Sequence, residues 1–80
     1  MIKAYVLVVT DPGQTKNVVN AIRQVEGVKE LHEVMGPYDI VIELEVQSLS
    51  EVPPILSDKI RAIPGIESTT SLVSFPEKQA

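Results

Sequence analysis

One eight-residue segment occurs twice in this chain of 80 residues, and the repeat restricts the possible folds more than any other feature. Residues 21–28 read AIRQVEGV, and residues 59–66, which lie 38 positions later, read KIRAIPGI. In each copy an apolar helical pattern ends near a glycine, and strand-like segments lie on both sides of the helix. Two β-α-β units in series predict an α+β fold, a ferredoxin-like βαββαβ domain.

Length, charge and cysteine content exclude several classes of protein. A chain of 80 residues is expected to form one domain, residues 1–80. Its net charge is −4 and its seven basic residues are scattered, which argues against direct DNA binding. The absence of cysteine removes disulfides and thiolate metal sites and suits a cytoplasmic protein. Residues 1–9 are apolar but too few for a membrane span.

Hydrophobic periodicity assigns the secondary structure. The predicted strands are residues 2–9, 28–35, 40–46 and 66–75, and the predicted helices are residues 14–25 and about 53–63, with a polar tail at 76–80. Ser48 and Glu51 form a capping-box pattern, but Pro53 and Pro54 follow closely, so the second helix is expected either to start irregularly or to start only near Pro53.

The predicted topology leaves one face of the sheet without cover. Right-handed crossovers place both helices on the same face, with the first and third strands in the middle of a four-stranded antiparallel sheet. The other face then carries alternate apolar residues of segment 5–9 and of the third strand. A soluble monomer rarely exposes so large an apolar area, so we expect a homodimer formed sheet to sheet.

Catalytic or metal-binding groups are not apparent in the sequence. His32 is the only histidine, and no pattern supplies the partner that a general base requires. Acidic residues of two neighbouring strands could gather on one surface; they are Glu30, Glu33, Glu43 and Glu45. Alternating charges on strands are usually solvated, so we expect no metal site, no cofactor and no catalytic residue.

The loop between the second and third strands is the best candidate for binding a small molecule. It contains Met35, Gly36, Pro37, Tyr38 and Asp39. Asp39 could pair with an α-ammonium group, amides around Gly36 could bind an α-carboxylate, and Tyr38 could line the pocket. The alternative is a tight hairpin in which Asp39 bonds its own backbone amides.

Three hydroxyls in the last strand are a second candidate. Thr69, Thr70 and Ser71 could contribute to a ligand site, or they could simply favour the strand conformation and bond to water or to neighbouring groups. Arg23 and Arg61 occupy equivalent positions of the repeat near helix C-termini, where positive charge is favoured, and we assign them no function.

Taken together, four segments resemble the ligand-binding domain of the leucine-responsive regulator and AsnC (Lrp/AsnC) family, also called the RAM domain. They are AYVLV at 4–8, VEGV at 25–28, GPYDI at 36–40 and DKIRAIPGI at 58–66. The resemblance implies dimers that assemble further, for example to an octamer, and amino-acid effectors bound between dimers. It implies effector contacts at Gly36, Tyr38 and Asp39 and an approach of residues 69–71 from another subunit.

The chain begins at the first strand, whereas full regulators of this family carry an N-terminal helix-turn-helix. It therefore resembles the stand-alone members, and we expect a non-enzymatic amino-acid sensor that modulates transcription or amino acid metabolism, with a full-length regulator as a partner. One alternative is a small dimeric ferredoxin-like enzyme with a pocket between sheet and helices, using His32 or Tyr5. Another is an assembly domain without a ligand.

Overall fold

The computed structural model describes residues 2–74 and contains a four-stranded antiparallel sheet with helices on one face. The strands are β1 (Ile2–Thr10), β2 (Val28–Glu33), β3 (Ile40–Val46) and β4 (Ile66–Ser74). Helix α1 is Thr15–Ile22, and the helical segment at residues 49–60 is α2. This confirms the predicted βαββαβ fold. Met1, the predicted strand end at Phe75 and the predicted tail at 76–80 lie outside the described residues.

The strand order is β2-β3-β1-β4, as the crossover rule predicts, and the core lies between the sheet and the helices. Alternate residues of the two central strands are buried, in register with one another, so that Val6 pairs with Ile42 and Val8 with Ile40. The buried apolar residues are Ala4, Val6, Val8, Val18, Val19, Ile22, Ile40, Ile42, Leu44, Val46, Val52 and Ile60. Because α1 and α2 both contribute to this cluster, they cover the same face.

Helix α1 and strand β2 are shorter than predicted. The helix ends at Ile22 rather than at Val25, because the amide of Val25 donates to the carbonyl of Ile22 at 2.9 Å and the chain continues as tight turns. Gly27 has a left-handed backbone, with a φ of +97°, but it ends these turns and not the helix itself. Strand β2 ends at Glu33, so the last two predicted strand residues belong to the following loop.

Helix α2 starts irregularly, as predicted, and it is irregular throughout. One Glu51 oxygen, Oε2, accepts from the amides of Gln47 and Ser48 at 2.8 and 2.7 Å, which caps the first turn. A 3-10 turn (Leu49–Glu51) leads into an α-helical turn (Val52–Pro54) and a π-helical turn (Ile55–Ile60). Pro53 and Pro54 lie within the α-helical turn and have no amide hydrogen to donate, which agrees with the irregular hydrogen bonding of this segment. The helix ends at Ile60, three residues before the predicted end.

The second face of the sheet is uncovered in residues 2–74. Tyr5 and Leu7 of β1 point to this face, since they alternate with buried residues of the core. Leu7 pairs with Val41 on one side and with Thr70 on the other, and Tyr5 pairs with Glu43 and with Leu72, which is 53% exposed. We call this surface the open face. Its centre is apolar, as the sequence predicts.

Candidate functional site

The loop of residues 34–39 joins β2 to β3 and is fastened at both ends. The amide of Val34 donates to the carbonyl of Asp39 at 2.9 Å, and the amide of Asp39 donates to the carbonyl of Val8 at 2.8 Å. A side chain built on Gly36 would meet no atom within 4 Å, so the backbone there is open to a ligand. Met35 is 99% exposed at the tip. The loop is therefore an anchored protrusion with an accessible backbone.

Asp39 holds the start of β3 to the end of β1. Its Oδ2 accepts from the amide of Thr10 at 2.8 Å and from the Thr10 hydroxyl at 3.2 Å. The Thr10 hydroxyl also bonds to the hydroxyl of Thr15 at 2.7 Å, which connects the carboxylate to the first residue of α1. The predicted alternative, in which Asp39 bonds amides of its own hairpin, is wrong, because the carboxylate reaches a neighbouring strand instead.

The second oxygen of this carboxylate remains available. Oδ1 of Asp39 accepts no hydrogen bond from the residues that the structure describes, and it is not buried. A carboxylate that is oriented through one oxygen can accept from a cation through the other with little further loss of conformational freedom. Tyr38 is half-buried beside it, whereas Gly36 and Pro37 are exposed. The loop can thus offer a charged acceptor, backbone donors and an aromatic wall.

The three hydroxyls of β4 do not share one surface. Thr69 pairs with buried Val8 and therefore faces the helices, and Ser71 faces the same way, whereas Thr70 pairs with Leu7 on the open face. Strand β1 lies between β4 and β3, so these hydroxyls are about two strand spacings, roughly 10 Å, from the start of β3. Within one chain, residues 69–71 and the loop do not form a single pocket, and their joint role stays a prediction.

Two residues of this region were missed by sequence reasoning. Thr10 is a polar residue at the buried end of an apolar strand, which was the one available signal that something must bond to it. Arg61 received no function, yet its Nε donates to Oγ1 of Thr69 at 3.0 Å. Both contacts join segments that are adjacent only in the folded chain.

The candidates for an enzyme site do not lie where that hypothesis needs them. His32 is exposed, and its Nε2 is 3.0 Å from Oε1 of Glu30. Through its pairing with Val41, it belongs to the open face, as does Tyr5. A pocket between sheet and helices would require a polar group on the opposite face, where aliphatic side chains fill the space. The structure therefore offers these two residues no enclosed site.

Metal-binding clusters and membrane-spanning helices are both absent from the described part of the chain. Residues 2–74 contain no group of three or more His, Cys, Asp or Glu side chains arranged to hold a metal ion. Across the same residues, none of the helices has the length and hydropathy that crossing a bilayer requires.

Comparison with known proteins gives a consistent assignment. The family model of the Lrp/AsnC ligand binding domain matches residues 3–79. The HTH-type transcriptional regulator PF0250 of Pyrococcus furiosus is 39% identical over 75 residues, which are 90% of this chain and 50% of that protein. The chain therefore spans about half the length of the regulators that it matches.

The chain is also similar to part of an enzyme and to a solved structure. Homocitrate synthase of Sulfolobus acidocaldarius is 40% identical over 60 residues, which are 74% of this chain but only 13% of the enzyme. The crystal structure of TTHA0845 from Thermus thermophilus superposes with a TM-score of 0.92 at 28% identity and covers 100% of both chains. The similarity thus extends over the whole βαββαβ unit.

Proposed function

The chain belongs to the Lrp/AsnC ligand-binding domain family, and we propose that the effector of this regulatory module is a free amino acid. The observation that carries the proposal is the carboxylate of Asp39, which Thr10 orients while its Oδ1 stays accessible. A fixed carboxylate in an exposed loop is suited to an α-ammonium group. We further propose that residues 1–80 act as one cytoplasmic unit.

In the proposed complex, one loop recognises the groups that all amino acids share. Oδ1 of Asp39 accepts from the ammonium group, and backbone amides around Gly36 donate to the carboxylate. Each charge-assisted hydrogen bond of this kind contributes about 1.5–3 kcal/mol. Tyr38 lines the side chain of the effector and contributes selectivity. Because small-molecule sites bury most of their ligand, a second subunit is needed to close this open loop.

We propose that assembly through the open face brings the subunits together. The apolar centre of this face is formed by Tyr5, Leu7 and Val41. In a monomer this area would be exposed to water, which is unfavourable. Nζ of Lys3 lies 3.8 Å from Oε2 of Glu43, and Nζ of Lys29 lies 3.4 Å from Oε2 of Glu45. These charges near the centre are therefore already paired within one chain. A two-fold dimer buries the centre, and dimers can then assemble further, for example to an octamer.

Two kinds of partner are consistent with this module. The match to the regulator PF0250 favours modulation of transcription through a full-length Lrp/AsnC regulator. The match to homocitrate synthase favours a second candidate, regulation of an enzyme of metabolism, since part of that enzyme is similar to this chain. Light scattering of the chain mixed with each protein, with and without effector, separates them: a new mixed assembly is expected with one of the two.

A thermal-shift screen against the twenty amino acids tests the proposal. At one hundred times the dissociation constant, an effector adds about 2.7 kcal/mol, which raises the melting temperature of so small a domain by about ten degrees. Asp39→Asn is expected to remove most of this rise, because the amide keeps an acceptor for Thr10 but loses the charge that binds ammonium. Asp39→Ala is unsuitable, since it also breaks the link to β1.

Asp11→Asn is the matched control, because Asp11 is an exposed carboxylate in the adjacent β1-α1 loop. It removes the same charge and should leave the thermal shift unchanged. Absence of a shift with every amino acid would contradict amino-acid sensing. A full shift in Asp39→Asn would exclude Asp39 from the site.

A further inference from the structure

A groove of about 340 Å³ lies between the end of α2 and the start of β4, away from the loop of residues 34–39. It is lined by Arg61, Ile66, Glu67, Ser68 and Thr69. Two of these residues carry opposite charges, two carry hydroxyls and one is aliphatic. The lining therefore combines the groups that recognise a small polar ligand.

The two charges of the groove have no oppositely charged partner in the described part of the chain. Neither Arg61 nor Glu67 forms an ion pair within 4.0 Å among residues 2–74. Nε of Arg61 donates to Oγ1 of Thr69 at 3.0 Å, which orients the guanidinium and leaves both Nη groups without a protein acceptor in the described part. A guanidinium held in this way presents a fork that matches a carboxylate.

A bulge brings Glu67 into the groove. Ile66 pairs with Thr10 and Ser68 pairs with Val9, so Glu67 is an extra residue with no partner in β1. Bulges of this type redirect a side chain, and they are frequent next to functional sites. The position of Glu67 therefore results from a defined irregularity of the strand.

The two copies of the internal repeat share a register shift but differ in the charged residues that stand there. Lys29 is 38 positions before Glu67, and it too stands at a register shift, between Val28 and Glu30. The first copy thus carries Arg23 and Lys29, two positive charges, where the second carries Arg61 and Glu67. Lys29 bonds to Glu45 at 3.4 Å. The bulge belongs to the fold, whereas the pair of opposite charges belongs only to the second copy.

We propose that this groove is a second binding site, which takes a zwitterionic α-amino acid: Arg61 binds its carboxylate and Glu67 binds its ammonium group. Charges of opposite sign that line one groove without contacting each other suit a ligand that bridges them. Within one chain, strand β1 separates β4 from β3, so the groove does not include the loop of residues 34–39. The site stands independently of the proposed function and goes beyond it.

A titration of the ¹⁵N-labelled protein with L-alanine, followed by amide chemical shifts, tests the site. The amides of residues 67–69 are expected to move in a saturable way. Alaninamide lacks the carboxylate and propionate lacks the ammonium group, and each should bind about tenfold more weakly or worse, since each loses one charge-assisted contact. Equal affinity for all three compounds would overturn the proposal.

Substitutions of Arg61 and Glu67 test their proposed roles in the groove. Arg61→Gln and Glu67→Gln are each expected to weaken L-alanine binding about tenfold or more, and the amide spectrum itself reports whether each variant is folded. Arg23→Gln is the matched control, because it removes an exposed arginine from the equivalent position of the first copy and should leave binding unchanged. Unaltered binding in Arg61→Gln would refute the site.

The location of the shifted amides separates this site from the proposed effector loop. Shifts at residues 67–69 that persist in Asp39→Asn support an independent groove. Shifts confined to residues 34–39 overturn the groove and leave the proposed function intact. Shifts at residues 67–69 alone support the groove and contradict binding of L-alanine at the loop. No saturable shift at residues 67–69 also overturns the groove.

Discussion

Gly65→Ala is expected to lower the free energy of unfolding by about 3 kcal/mol. Gly65 has a φ of +99°, which an L side chain rarely adopts. An added Cβ would also lie 2.9 Å from Cβ of Gln14 and 3.1 Å from Cγ2 of Val18, at the start of α1. The substitution therefore adds backbone strain and a steric clash between two segments that the core holds together.

Gly13→Ala is the control for this prediction. Gly13 also has a positive φ, +79°, but no atom lies within 4 Å of the position that its Cβ would occupy. Gly13→Ala should lower the free energy of unfolding only through backbone strain, by about 1 kcal/mol. Urea unfolding of both variants measures the difference. Equal decreases in the free energy of unfolding for the two variants would mean that α1 and the turn before β4 are not in close contact.

Leu7→Glu is expected to convert the proposed dimer into monomers. Leu7 lies at the centre of the open face, between Val41 and Thr70, so a two-fold interface through this face buries two copies of it. Replacing both leucines removes about 3–6 kcal/mol of apolar burial from each dimer and adds two buried charges. The dissociation constant should rise by a factor of about 10² to 10⁴.

Analytical ultracentrifugation over a range of concentrations measures this change. Met35→Glu is the control, because Met35 is fully exposed in the loop of residues 34–39 and does not lie on the open face. It introduces the same charge and should preserve the dimer. A wild-type monomer at micromolar concentration, or an unchanged dimer in Leu7→Glu, would contradict the assembly through this face.

Much of the fold was predictable because its signals are local. Alternation of apolar residues predicts β3 at residues 40–46, and the structure has the same bounds. The capping box and the prolines predicted an irregular start of α2, but no periodic pattern indicated the π-helical turn that follows. The ends of α1 and β2 were predicted too late, because the apolar residues Val25, Val34 and Met35 continue the periodic patterns past the turns that end these elements.

The candidate site was predictable only in part. Composition and motif selected the loop of residues 34–39, but the bond from Asp39 to Thr10 joins residues 29 positions apart, and no local pattern reports such a contact. Similarly, the three hydroxyls of β4 look like one group in the sequence. The pairing with β1 divides them between two faces, because successive side chains of a strand point in opposite directions.

By itself, the sequence determined the order of elements, the helix-covered face of the sheet and the apolar open face, because hydrophobic periodicity and glycine conformation act over a few residues. The tertiary structure alone decided which polar groups meet. Strand register brings Thr10 to Asp39, and a one-residue bulge places Glu67 in a groove with Arg61. The repeat predicted two similar halves, and the structure shows that the second half carries opposite charges at the bulge where the first carries two positive ones.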